Sequence, residues 1–479
     1  MTRAVVVGSG PNGLAAAAEL SAAGVQVHVI EASDELGGGA RNSAPLLPGL
    51  VQDHCAAVHP MAAGSPYLTG LDLPGVTWAR AEIDCAHPLD GGDAALLSQS
   101  IDRTAEDLGD DGRRWAALFG APSRRFSALS EDIMRPLVGM PRHPLTLARF
   151  GAVAALPPTW VAHAFASERT RALFLGVAAH AFQRLDIPLV TGIGAGIITA
   201  GHAVGWPVVA GGTGTLTSAV IERLRARGVT FETGRMITQR RELPAHDIAM
   251  FDLHPHQVAR ILGDALPARS RRAFTRFRPG PAAFKVEFAV DGGVPWLAEG
   301  VSRAGTVHLG GAAAEIVAAE REIVAGRMPE RPFVLVGQQY VADPQRSAGD
   351  IHPVYAYAHV PGGFRGDATE AIIAQFERFA PGFRDRIHTM RVVTSTELSR
   401  TNPNFVGGDI LTGAKSPLQF TLGPRLSARP YDTGVPGSYI CSAATPPGPG
   451  VHGMCGVNAA QRALHVERSR RRPHQDAAA

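Results

Sequence analysis

In the stretch AVVVGSGPNGLAAAAEL, residues 4–20, a run of valines meets three glycines, Gly8, Gly10 and Gly13, spaced G-x-G-x-x-G. Few patterns narrow the choice of fold so far. A short strand buried on both faces must turn sharply at Gly8, and a small-residue helix over residues 11 to 23 must pack close against it. GVQVHVIEAS, from Gly24, returns as a second parallel strand ending at Glu31, completing a βαβ unit of about 30 residues.

Each position has a physical reason. Gly8 permits the turn, Gly10 lets the backbone approach a pyrophosphate that a Cβ would block, and Gly13 lets helix and strand touch. Pro11 and Asn12 stand at the helix start, where free N–H groups and a partial positive charge suit phosphate. Glu31, followed by Ala32, lies where a carboxylate accepts hydrogen bonds from ribose hydroxyls, and an acid there disfavours the 2′-phosphate of NADP. Together these features predict dinucleotide binding over a merely structural turn. They leave FAD and NAD both open.

At 479 residues the chain exceeds what one core usually holds, so two domains built from interleaved segments are expected. A hydrophobic fraction of 45% with 19% charged residues suits a soluble globular protein. The net charge is only +3, and the basic runs at 269–278 and 468–472 lack a recognisable RNA-binding pattern, so no nucleic-acid partner is expected. Four cysteines without C-x-x-C spacing predict reduced thiols, no metal and a cytoplasmic location. Gly8, Pro11 and Gly13 interrupt the apolar N-terminus where a signal peptide needs an unbroken run. Residues 187–221 carry no Asp, Glu, Lys or Arg, yet Pro188, Pro207 and many glycines punctuate them, which predicts buried core or apolar lining in place of a membrane span.

Residues 84 to 205 show largely helical spacing. From 205 to 237, Gly211, Gly212 and Gly214 open a helix to about Arg227, and VTFETGRMI returns as a strand. Between 282 and 360 the period becomes two, with FKVEFAV, TVHLGG, FVLVGQQYV and PVYAYAHV as strands. Tyr355, Tyr357 and His359 share one face of the last, which either lines a pocket or is a plain aromatic face. There is no G-x-S-x-G elbow, no P-loop lysine and no second strand-linked G-x-G-x-x-G, so one dinucleotide is expected.

EASDELGGGAR, residues 31–41, resembles the E-A-x4-G-G-R extension of FAD-binding proteins of the glutathione-reductase and amine-oxidase type. The block PYDTGVPGSYICSAATPPGPGVHGMCGVNAAQRAL, residues 430–464, resembles the phytoene-desaturase-like FAD-dependent oxidoreductases. That group holds carotenoid desaturases and the animal pyridine nucleotide-disulfide oxidoreductase domain-containing protein 2. DHCAAVHPMAAGSP (53–66), AHPLDGGDAALL (86–97), GWPVVAGGTGTL (205–216), FKVEFAVDGGVPW (284–296), GTVHLGG (305–311) and YAYAHVP (355–361) extend the resemblance over most of the chain. One departure is Cys441-Ser442-Ala443, where the family often has Cys-Gly-Ala.

The resemblance implies FAD as cofactor. It implies that Gly38, Gly39 and Arg41 approach the FAD and that Ile237 lies on a strand bracketing the adenine. Ser442 would offer its N–H to the phosphates or ribityl chain, Gly450, Val451 and His452 would lie beside the isoalloxazine, and Val457 would belong to a helix start facing its pyrimidine edge. His452 is the candidate catalytic residue. For His54, His59, His308 and His359, structural roles are expected.

The expected fold is α/β: a glutathione-reductase-like, Rossmann-type FAD-binding domain with a second mixed helix-and-sheet substrate domain. Segments 1–80, 206–258 and 430–466 would form the first domain. Segments 81–205, mainly helical, and 259–429, mainly sheet, would form the second, with a disordered basic tail at 467–479. The expected activity is hydride removal from a small apolar organic substrate, the flavin being reoxidised by an acceptor such as oxygen or a quinone. Reduction, isomerisation or cyclisation of an unsaturated compound, and a flavin-stabilised binding protein without turnover, stand as alternatives. Apolar substrates in the family allow peripheral membrane contact, although no amphipathic basic helix stands out.

Overall fold

Apolar residues, mainly valine in Arg3–Val7, valine and isoleucine in Gln26–Ile30 and Ile-Ala-Met-Phe in Ile248–Phe251, fill the strands, as a sheet covered on both faces requires. A computed structural model describes residues 1–475, and the side chains of residues 1–470. Five parallel strands form one sheet in the order Ser438–Ile440, Ile248–Phe251, Arg3–Val7, Gln26–Ile30, Thr230–Glu232. Its strands come from three distant stretches of chain. One face packs against the helices Pro11–Ala22, Thr213–Ala226 and Met454–Gln475, through Leu14, Ala17, Val220, Leu224, Ala459 and Ala463. The other packs against Pro255–Leu262 through Val258, Ile261 and Leu262.

The second sheet has seven strands in the order Ile387–Val393, Ala282–Asp291, Ile351–Val360, Val334–Gly337, Ala304–Leu309, Ile83–Pro88, Ala94–Leu97. Only Ala304–Leu309 and Ile83–Pro88 pair in parallel. Period two sorts its faces. Phe284, Val286 and Phe288 pack with Phe376 and Phe379 of the helix Thr369–Phe379, whereas Tyr355 and Tyr357 turn towards the helices Glu168–Ala178 and Thr191–Val204. The chain is thus an α/β protein with a Rossmann-type parallel sheet and a second, mixed helix-and-sheet part.

Several local expectations change. The stretch expected to be mainly helical, 81–205, contributes the strands Ile83–Pro88 and Ala94–Leu97, because Ile83–Pro88 finds a partner more than 200 residues away at Ala304–Leu309 and Ala94–Leu97 pairs back onto it. In FVLVGQQYV only Val334–Gly337 is strand, and Gln339–Ala342 coils into a short helix. The apolar stretch 187–221 breaks after the helix Thr191–Val204, where Gly205 takes φ +78°. The last helix runs to Gln475, through the first part of the expected tail. Its buried small and apolar residues, among them Val457, Ala459, Ala460 and Ala463, seat its first turns on the core and the basic run then prolongs it; residues 476–479 lie outside the described residues. Among the described residues no helix is long and apolar enough to cross a membrane.

Candidate cofactor site

The parallel sheet delivers Gly8 at the end of its central strand with φ +96°, a conformation that favours glycine. Gly10 then caps the helix Pro11–Ala22. A Cβ on Gly13 would collide with the carbonyl oxygen of Gly8, so Gly13 serves close helix–strand packing and does not line the cavity above.

Beneath the loop sits Asp252, directly after the strand Ile248–Phe251. Its Oδ2 accepts the Gly13 N–H at 2.9 Å, and a Cβ on Gly10 would stand 2.6 Å from the same oxygen. Burial pushes the Asp252 carboxyl up to about 7, with the nearby Glu31 adding to the effect. A proton held there lessens the negative charge under a phosphate-binding loop.

Glu31 organises the loop from the side. Its Oε2 accepts from the Ser9 N–H (2.8 Å) and hydroxyl (2.6 Å), and its Oε1 accepts from the Ser33 N–H (2.9 Å). The Ser9 hydroxyl oxygen in turn accepts the Gly37 N–H at 3.0 Å, drawing the second glycine group onto the first. A Cβ on Gly38 would lie 3.0 Å from the Gly10 Cα. Arg41 donates through Nη1 to Ser33 Oγ and Glu35, while its buried Nε has no partner. The buried Asn12 Oδ1 has none either.

These groups open onto a cavity of about 610 Å³. Gly8, Gly10, Pro11, Asn12, Glu31, Ala32, Gly38, Gly39, Arg41, Ile237, Ser442, Gly450 and Val451 all line it. Cys55, Ala56, Arg400, Phe405, Ile410, Thr412 and Pro449 also line it, with Phe405 and Cys55 close to Gly39. The carboxylates in the wall are Glu31, Asp34 and Asp252.

Three placements depart from the sequence reading. Ile237 reaches the cavity from a loop, because the strand stops at Glu232. His452 is 2% exposed and off the cavity wall: its Nδ1 accepts the Met454 N–H at 3.0 Å, and its carbonyl oxygen accepts the Ser65 hydroxyl at 2.6 Å. Burial pushes His452 down to about 4, so the ring is neutral and holds the 448–454 loop instead of facing a ligand. Val457 is also off the wall. The helix start that carries it is turned onto the first helix, since a Cβ on Gly456 would collide with the Asn12 carbonyl oxygen, and Val457 packs in the apolar core.

Asp252 and the 400–412 segment escaped sequence reasoning. Asn404 closes that segment over the site: its Nδ2 donates to the Asp252 carbonyl oxygen (2.9 Å) and its Oδ1 accepts the His254 N–H (2.7 Å). Thr412 lines the cavity with φ +54°, an uncommon conformation for a β-branched residue. A carboxylate after an apolar strand was a usable signal for Asp252; nothing local marks Asn404, whose partners are about 150 residues away.

Lys285 and Lys415 are the only lysines in the sequence, and both are buried. Lys285 Nζ donates to the carbonyl oxygens of Asp53 (2.7 Å) and His54 (2.8 Å) and to Glu287 Oε1 (2.6 Å), fixing the backbone that presents Cys55. Burial pushes the Cys55 thiol up to about 11, so it is no thiolate. The other glycine-led helix, Thr213–Ala226, does not repeat the phosphate loop. Asp53 Oδ1 accepts its Thr213 N–H (2.7 Å) and Asn42 Oδ1 its Gly214 N–H (2.9 Å).

Residues 6–70 match the model of the NAD(P)-binding Rossmann-like domain. Among solved structures the chain is similar to an oxidoreductase from Methanosarcina mazei, at 17% identity over 96% of this chain and 100% of that one, with a TM-score of 0.63. Putrescine oxidase with bound putrescine aligns at 16% identity over 98% and 99%, TM-score 0.60. Cyclohexylamine oxidase from Brevibacterium oxydans aligns at 15% identity over 97% and 98%, TM-score 0.55. These likenesses establish the fold. No curated protein matches the sequence.

Proposed function

We propose that the chain is an FAD-dependent oxidoreductase that removes hydride from an apolar organic substrate, in the manner of the phytoene-desaturase-like enzymes it resembles. The observation that carries this reading is a cavity lined together by the glycine loop, Glu31 and Arg41 and by the apolar Cys55, Ala56, Phe405 and Ile410. The unpartnered Arg41 Nε supplies a donor along its wall, as a diphosphate nucleotide requires.

When bound, FAD supplies the hydride acceptor. The glycine loop and helix start would hold the diphosphate, Glu31 the ribose hydroxyls, and Ile237 the adenine side. Phe405, Ile410 and the Pro449–Val451 loop would keep water from the reacting end and orient an apolar substrate by contact. The oxidoreductase, putrescine oxidase and cyclohexylamine oxidase folds support the general class. Oxygen or a quinone would take the electrons onward.

The test is the absorption spectrum of the purified protein, with identification of the nucleotide released on denaturation. Flavin bands and released FAD are expected; a colourless protein retaining NAD overturns the reading. Anaerobic mixing with candidate polyenes then bleaches the flavin if the reaction is dehydrogenation. Product without bleaching transfers the chain to the isomerase class.

A further inference from the structure

Six of the thirteen large apolar side chains that the described residues leave exposed lie between Leu137 and Trp160: Leu137, Val138, Met140, Leu145, Leu156 and Trp160. They are not scattered. Residues 134–143 form a loop closed by the buried Asp132, whose two oxygens accept the N–H groups of Arg142 (2.7 Å) and His143 (2.8 Å), so the loop holds its apolar tip outward. The helix Pro144–Ala154 follows and buries Thr146, Phe150 and Ala154. Its opposite face, where a surface helix normally carries polar residues, presents Leu145, Ala148, Arg149 and Ala152, and Leu156 continues that line. Trp160, 66% exposed, extends the surface beyond the helix.

Charge selects the partner. From residue 133 to 167 there is no Asp or Glu, while Arg135, Arg142 and Arg149 are present with His143 and His163. Glu131, just outside, pairs with Arg142 at 3.1 Å and leaves the exposed Arg149 without an acidic partner in this stretch. Two copies of this face would set arginine against arginine. An apolar ridge with an exposed tryptophan and arginines at its margin matches an anionic lipid interface, where the ridge enters the acyl boundary and the cations meet headgroups.

We propose that the 137–160 surface docks the protein on anionic bilayers, lying in the interface without spanning it. This holds whatever the cavity binds. The full-length protein should float with vesicles of phosphatidylcholine and phosphatidylglycerol, and bind phosphatidylcholine vesicles about tenfold less well. Rising salt should weaken the anionic binding. The combined variant Met140→Ser, Leu145→Ser, Trp160→Ser should lose binding about tenfold or more while keeping its melting temperature and bound nucleotide. Arg149→Glu, altering one exposed side chain, should weaken binding by about tenfold and provides the test if the triple variant does not fold. Failure of the wild type to bind anionic vesicles, or undiminished binding by these variants, overturns the proposal. A wild-type dimer in solution that the triple variant converts to monomer also overturns it, assigning the face to self-association.

Discussion

Asp252 shows how one carboxyl supports a phosphate loop without adding a full charge to it. Replacing it with Ala leaves the Gly13 N–H without its acceptor, a loss of about 1–3 kcal/mol, and FAD affinity should fall roughly tenfold or more. Titration of flavin-free protein with FAD measures this, and unchanged affinity would remove Asp252 from the site. Its folded pKa is raised, so the stability it contributes is full below the carboxyl's ordinary range and is lost as pH rises through about 7. In thermal melts of flavin-free protein, Asp252→Asn should therefore gain on the wild type as pH rises across that window. His452→Ala, by contrast, leaves the Met454 N–H unbonded and should lower stability by about 1 kcal/mol in denaturant titrations. The pH profile of flavin reduction should stay where it was; a displaced limb would return His452 to catalysis.

At the scale of elements, the nucleotide end is set by two helices that touch through glycine. Gly456 on the last helix lies against the Asn12 carbonyl of the first, so Gly456→Ala must part them. An overpacking cost of about 1–3 kcal/mol is expected in urea titration, with reduced flavin content in the purified variant. The two sheets are joined by a buried ion network. Arg346 donates to Asp53 Oδ2 (2.6 Å), Asp343 Oδ2 (3.2 Å) and the Val209 carbonyl oxygen (2.6 Å). Asp53 also caps the helix Thr213–Ala226, and Asp343 accepts the Gly211 N–H. Arg346→Met leaves both carboxylates buried and unpaired, and should destabilise the protein by about 3–5 kcal/mol in the same titration.

Over the whole molecule the buried histidines govern the response to acid. Burial holds His54, His59, His87, His180, His202, His254, His308 and His452 well below the usual imidazole range. A histidine with a lowered folded pKa contributes stability above its unfolded value of 6.5, and that stability is lost as pH falls towards the folded value. Each forfeits about 1 kcal/mol per pH unit over that range. Asp84 and Asp252, both pushed up to about 7 by burial, and Asp107, Glu320 and Asp409, which burial also raises, act in the opposite sense but are fewer than the histidines. Melting temperature should thus fall steeply from about pH 6.5 to 4; a flat profile would show that these imidazoles are not buried neutral.

What was legible in the sequence was local. The G-x-G-x-x-G turn, its βαβ frame and Glu31 are written in glycine's conformational freedom and in periods of two and 3.6, and they appear where the pattern put them. The period-two strands of the second sheet were legible for the same reason, whereas Ile83–Pro88 takes its strand form from a partner far along the chain. The outward face of Pro144–Ala154 escaped notice because a helix apolar on both sides shows no amphipathic contrast. His452 and Val457 stood in a recognisable block, but a motif does not state which way a side chain turns. Close packing of the first and last helices at Gly456 turned Val457 into the core, and the bond from the Met454 N–H turned His452 into the loop. The sequence by itself determined the glycine turn and the strands that frame it, since backbone sterics and side-chain period act within a few residues. Only the tertiary structure decided that Asp252 lies under that turn and that Asn404 ties the 400–412 segment to it, since those contacts join residues some 150 to 240 positions apart.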